Sequence, residues 1–74
     1  MKEIICFSFK DGDPILYKEV DYNFSIGDTV YYELNEKEIQ EVKSFYPHED
    51  IEGIINDKWI DIGEMKIIWD VKVT

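Results

Sequence analysis

Residues 65–73 alternate without a break, with Met65, Ile67, Trp69, Val71 and Val73 on one side and Lys66, Ile68, Asp70 and Lys72 on the other. A period of two places the first set on one face of a strand, whereas on a helix the same residues would scatter around the axis. The chain has 74 residues, so this strand must find the rest of its sheet within one small domain. A domain of that size buries only about 60% of its unfolded surface, which leaves little core to waste. Composition supplies suitable partners. Apolar residues make up 45% of the chain, alanine is absent, and isoleucine is joined by four Phe, five Tyr and two Trp. Such β-branched and aromatic side chains fit a pleated, half-buried surface. A single domain over residues 1–74 is expected.

The other segments fall around that strand. Residues 3–9 read as a strand with Ile5, Phe7 and Phe9 on one face. Asp11-Gly12-Asp13-Pro14 has turn chemistry: Gly permits positive φ, Asp bonds nearby backbone and Pro fixes φ. Residues 15–22 then return as the second arm of a hairpin, with Leu16, Val20 and Tyr22 inward. After a turn at residues 24–28, residues 29–34 form a third strand with Val30, Tyr32 and Leu34 inward. Tyr17 and Tyr31 fall on the opposite faces.

Asn35-Glu36-Lys37-Glu38 fits a capping box, with Asn35 as N-cap and Glu38 at the third helical position. Leu34 and Ile39 have the spacing of a hydrophobic staple across it. Ile39, Val42, Phe45 and Tyr46 recur at helical spacing until Pro47, which predicts a helix over about 36–46. Strand content over residues 41–46 is the competing reading. Residues 47–53 read as an acidic loop, and Asn56-Asp57 as a tight turn between Ile54-Ile55 and residues 59–62. The fold class expected is α+β: a small, strongly curled antiparallel sheet, or partly open barrel, of five to six strands with one helix.

Phe24-Ser25-Ile26-Gly27-Asp28-Thr29-Val30 resembles the apolar-x-x-Gly-Asp-x-Val step from turn to strand of small SH3-like β-barrels, and the preceding hairpin with its Asp-Gly turn is similar to their opening. The resemblance covers about residues 2–34. It implies a binding surface without naming a ligand. The central helix departs from the simplest such barrels.

Charge narrows the function. Seventeen acids face eight lysines and no arginine, for a net charge of −9. That balance repels phosphate backbones and anionic lipid heads, so direct nucleic-acid binding and membrane binding are both disfavoured. The side chain best suited to bidentate phosphate contacts is missing altogether. A partner selected by charge would be a protein with a basic surface; solubility alone is the plain alternative. The lone Cys6 rules out an internal disulfide framework, and the amino-terminal residues lack a signal-peptide core, so a cytoplasmic location is expected.

No catalytic apparatus stands out. Cys6 lies mid-strand and reads as a small buried hydrophobe, and His48 as a solvated loop histidine. His48, Glu49, Asp50 and Glu52, with Asp57 and Asp61, match no calcium-loop spacing, and Asp11-x-Asp13 lacks the rest of one. Neither a Cys/His metal cluster nor a Gly-rich phosphate loop is present. The expectation is a non-enzyme without metal or cofactor. The residues singled out for contact with a protein partner are Glu36, Glu38, Glu41, Tyr46, His48, Glu49, Asp50, Glu52 and Trp59, since carboxylates answer a basic surface and Tyr and Trp are favoured anchors. Small acidic inhibitors, such as phage-encoded anti-defence antagonists that dock on a nucleic-acid-binding surface, have this profile. In the extreme case the carboxylates imitate a row of phosphates, as in a DNA mimic. The alternative is an SH3-like assembly module that self-associates or adds its long C-terminal strand to a larger complex.

Overall fold

The computed structural model describes residues 1–9 and 16–74. The turn expected at residues 11–14 lies outside them. Five strands and one helix follow in the order β1 (Lys2–Ser8), β2 (Leu16–Val20), β3 (Thr29–Glu33), α1 (Glu36–Val42), β4 (Asp50–Asp61) and β5 (Lys66–Val73). The strands form one sheet in the order β2-β1-β5-β4-β3, strongly curled into a half-barrel. The expected fold class, a small curled sheet with one helix, holds. One pair departs from the antiparallel expectation: β1 and β5 run parallel, with Ile5 opposite Trp69 and Phe7 opposite Val71. The strand expected at an edge is therefore interior. β5 is paired on both sides, so its backbone is not open to a further strand.

The concave face carries the core. Ile5, Phe7 and Phe9 from β1 and its end, Leu16, Ile51, Ile55, Trp69 and Val71 are buried there with Leu34 and Val42, as the alternation of the first, third and last strands predicts. Tyr22 is the exception among the inward assignments. It is exposed, because β2 stops at Val20 and the chain turns away toward the opposite edge strand. On that path Phe24 sets its ring edge-on to Trp69, 5.6 Å between centroids.

β4 is where local reading and structure part. Residues 50–53 belong to this strand rather than to an acidic loop, and Asn56-Asp57 does not reverse the chain. Ile51, Gly53 and Ile55 point inward in alternation, and the register against β5 then slips between Ile55 and Asp57. That slip is a β-bulge, which bends the strand and sharpens its twist. At Gly53 β4 presses closely on Val71 and Lys72 of β5, leaving no room for a side chain. The residues that read as punctuation lie within one continuous 12-residue strand. The real reversal comes at residues 62–65, where Met65 takes a positive φ of 56° and Glu64 N–H donates to Asp61 Oδ1. Met65 and Ile62 are thus turn residues and exposed.

The helix is shorter than expected, ending at Val42, with Lys43 as C-cap. Pro47 disfavours helical backbone at Tyr46, and the last turn tightens as Phe45 and Tyr46 N–H both bond the Val42 carbonyl. The capping box is complete. Asn35 accepts from Glu38 N–H, and Glu38 reaches back to Asn35 N–H.

Glu38 does more than cap. Its buried carboxylate accepts Tyr32 Oη–H at 2.6 Å and Lys18 Nζ at 3.0 Å. Lys18 lies on β2 and Tyr32 on β3, the two edges of the sheet. The Lys18 ammonium also sits 5.3 Å from the Tyr32 ring centre. One carboxylate thus ties both edges of the half-barrel across its open side. Burial alone would raise the Glu38 pKa, but the Asn35 N–H, Tyr32 and Lys18 together hold it below its ordinary value.

Candidate functional site

The convex face of the sheet is the chemically unusual one. It takes Thr29, Tyr31 and Glu33 from β3, and Asp50, Glu52 and Ile54 from β4 before the bulge. After the bulge it takes Asp57, Trp59 and Asp61 from β4, with Lys66, Ile68, Asp70 and Lys72 from β5, Lys66 standing opposite Asp61. Two pairs of carboxylates stand directly opposite one another on this face: Glu33 against Asp50, and Asp57 against Asp70. Like charges at such positions destabilise a sheet. Beside each pair stands an exposed aromatic, Tyr31 at the first and Trp59 at the second.

At the first pair Tyr31 Oη–H donates to Asp50 Oδ2 at 3.2 Å, and this bond, reinforced by the Asp50 charge, raises the Tyr31 pKa. At the second pair Asp70 is half-buried and accepts Ser8 Oγ–H at 2.7 Å and the Cys6 thiol at 3.6 Å. Asp57 Oδ1 accepts the Lys58 N–H. The lysines nearest the β1/β5 end are engaged with other acids, Lys2 with Glu19 and Lys66 with Glu64.

The residues expected to contact a partner do not form one patch. Asp50 and Glu52 join the convex face at its β3 edge. Trp59 shares that face but lies about 20 Å further along β4 at strand rise. Glu36 and Glu41 are exposed on α1, and five residues on a helix turn them about 140° apart. Glu38 is buried and held by the cap, Tyr32 and Lys18, so its carboxylate faces the interior. Tyr46 is half-buried, packs on Phe9 and donates its hydroxyl to the Asp50 carbonyl. His48 is exposed and lies edge-on to Tyr46, and Glu49 is exposed beside it. Tyr46 therefore supports the start of β4 at Asp50, with His48 packed against its ring. Glu33 and Asp70 belong to the face and were not among the expected residues. The alternation Thr29-Tyr31-Glu33 carries the signal for the first, while the second needs the register of β4 on β5.

Among the described residues no three His, Cys, Asp or Glu side chains come together as a metal would require. No described helix is long and apolar enough to cross a membrane. Cys6 is buried, and its thiol is pushed up to about 12 by that burial, and further by the charge of Asp70 and its bond to it. Little thiolate forms at neutral pH, and the thiolate is the nucleophile. In a thiol-labelling time course at pH 8, Cys6 is expected to react at least about tenfold more slowly in the folded protein than in denaturant. Equal rates would show that strand β1 opens freely.

No protein family model, no curated protein and no solved structure matches this chain. The likeness to SH3-like barrels therefore extends to a small curled sheet and no further.

Proposed function

We propose that the protein is a non-catalytic binding protein whose acidic convex face docks on a basic surface of a partner protein, of the kind that handles nucleic acid, and antagonises it there. The observation that carries this reading is the pairing of like charges. A chain needing acidity only for solubility has no reason to set Glu33 against Asp50 and Asp57 against Asp70, since each opposed pair costs the sheet a few tenths of a kcal/mol or more. A cationic partner removes that cost on binding. The exposed rings of Tyr31 and Trp59 beside the pairs supply the apolar area that a lysine stem or a guanidinium plane covers.

The experiment is capture from host lysate with the tagged protein, with washes at low and high salt, alongside the triple variant E33K/D50K/E52K. The wild type is expected to retain a basic nucleic-acid-binding protein at low salt and release it at high salt. The variant is expected to lose it, and nucleic acid should compete for the captured partner. Equal capture by the variant, or capture that salt and nucleic acid leave untouched, would refute the reading.

A further inference from the structure

β3 covers only the first half of β4. The pairing runs from Glu33 opposite Asp50 to Thr29 opposite Ile54, and the chain just before β3 adds the bonds Gly27 N–H to Ile55 O and Ile55 N–H to Asp28 O. Beyond the bulge at Asn56, residues 57–61 pair with β5 alone, and among the described residues no strand lies on their other side. Open edges carry devices that discourage pairing, such as several lysines, a proline, a β-bulge or an inward-pointing charge. This one has the bulge at its start and one lysine, Lys58, drawn inward over the Trp69 ring at 4.9 Å. It has no proline and no second lysine, and its main chain from Asp57 to Asp61 is left open on that side. Trp59 and Ile60 on the same edge are half exposed, at 49% and 50%.

We propose that residues 56–61 of β4 receive an extended segment of the partner in which lysine or arginine alternates with apolar residues. This rests on the acidic-docking reading and specifies its partner. The two faces of the edge dictate the alternation. Asp57, Trp59 and Asp61 lie on the convex side, so the residues opposite them are basic: two meet carboxylates, and the middle one lies along the indole. Lys58 and Ile60 lie on the concave side, where Ile60 and the Lys58 stem laid over the Trp69 ring favour apolar residues opposite them. Main-chain hydrogen bonds to the free edge provide affinity, and the alternating side chains select the partner. A second copy of the chain offers no such alternation. Centred on Trp59, two-fold antiparallel pairing sets Asp57 of each copy against Asp61 of the other in two like-charged pairs. Centred on Ile60, it sets Asp61 against Trp59, with no cation opposite either carboxylate.

The test uses the full chain and a short synthetic peptide of alternating lysine and valine, with an alternating glutamate–valine peptide and a block peptide of equal lysine–valine composition as controls. Amide hydrogen exchange is read residue by residue. The Lys–Val peptide is expected to slow exchange at least about tenfold at the outward amides of residues 56–61, with neither control doing so. The D57N/D61N variant, which keeps an acceptor oxygen at both positions, is expected to bind it about fivefold more weakly. Protection by the basic peptide at the β2 edge or beside Tyr31 and Asp50, with residues 56–61 unchanged, would overturn the edge proposal while leaving acidic docking intact. Protection of residues 56–61 that rises with protein concentration and without peptide would overturn it in favour of self-pairing. No response to any basic peptide would overturn the edge proposal, while acidic docking stands or falls on capture by the E33K/D50K/E52K variant.

Discussion

Replacing Glu38 with alanine is expected to destabilise the fold by about 3 kcal/mol, the largest loss for any exposed-looking acid in the sequence. Three contributions add. The helix loses the reciprocal half of its capping box, which is about 1 kcal/mol at such positions. The Tyr32 hydroxyl loses its acceptor in a partly buried place, and Lys18 loses the charge-assisted bond that holds β2 to the helix; bonds to charged groups contribute about 1.5–3 kcal/mol. Lys18 keeps about a third of its side chain in water, so its share lies at the low end. Glu38→Gln is the control. A glutamine oxygen still accepts from Asn35 N–H and Tyr32, while the amide nitrogen in place of Oε2 forfeits the Lys18 bond together with the charge, so a loss of about 1 kcal/mol is expected. Denaturant unfolding of the three proteins measures both values. If alanine and glutamine prove equal, the carboxylate does not tie the two edges.

The same carboxylate gives the fold a pH dependence with a definite sign. The folded-state pKa of Glu38 lies below its ordinary value of 4.5, so the unfolded chain takes up the proton first as pH falls. The stabilisation is complete at neutral pH and is lost progressively below about pH 4.5 as the folded carboxylate is protonated in turn. Stability curves for wild type and Glu38→Gln should therefore converge between neutral and acid pH. A constant gap between them would mean that the Glu38 pKa is not depressed in the folded state.

Glu38 also shows where sequence reading stops. The capping box was legible because its atoms lie within four residues, and the same is true of the strand at residues 65–73, whose alternation is a local property. The partners of Glu38 were not legible. Lys18 and Tyr32 reach it only because the sheet curls enough to bring β2 and β3, its two edges, to one carboxylate, and a glutamate in an acidic helix otherwise reads as surface. The parallel pairing of β1 with β5 has no local signal either, since it joins the two ends of the chain. On the candidate site, alternation marked Tyr31 as outward-facing. The opposition of Asp57 and Asp70 depends on a bulge that shifts the register by one residue, and a one-residue slip decides which face every later side chain occupies.

Gly53→Ala is the second large effect, expected at about 2–3 kcal/mol and opposite in sign to the small gain that replacing a flexible glycine normally brings. A Cβ at Gly53 would stand 2.5 Å from Val71 Cγ1 and 2.7 Å from the Lys72 carbonyl oxygen. The first contact can relax by turning a side chain. The second cannot, because the oxygen belongs to the backbone of β5 and moves only if the β4–β5 ladder opens. Overpacking of that kind costs about 1–3 kcal/mol. A double-mutant cycle separates the two contacts. Val71→Ala alone leaves a cavity and destabilises the fold; in the Gly53→Ala background it also relieves the side-chain clash, so its cost there should fall by about 1 kcal/mol without the double variant regaining wild-type stability. Full recovery would mean that Val71 alone enforces glycine at this position. Partial recovery would place the constraint in the backbone contact with Lys72, the close approach that holds β4 on β5 in the register from which the bulge then turns Trp59 to the face of Asp50.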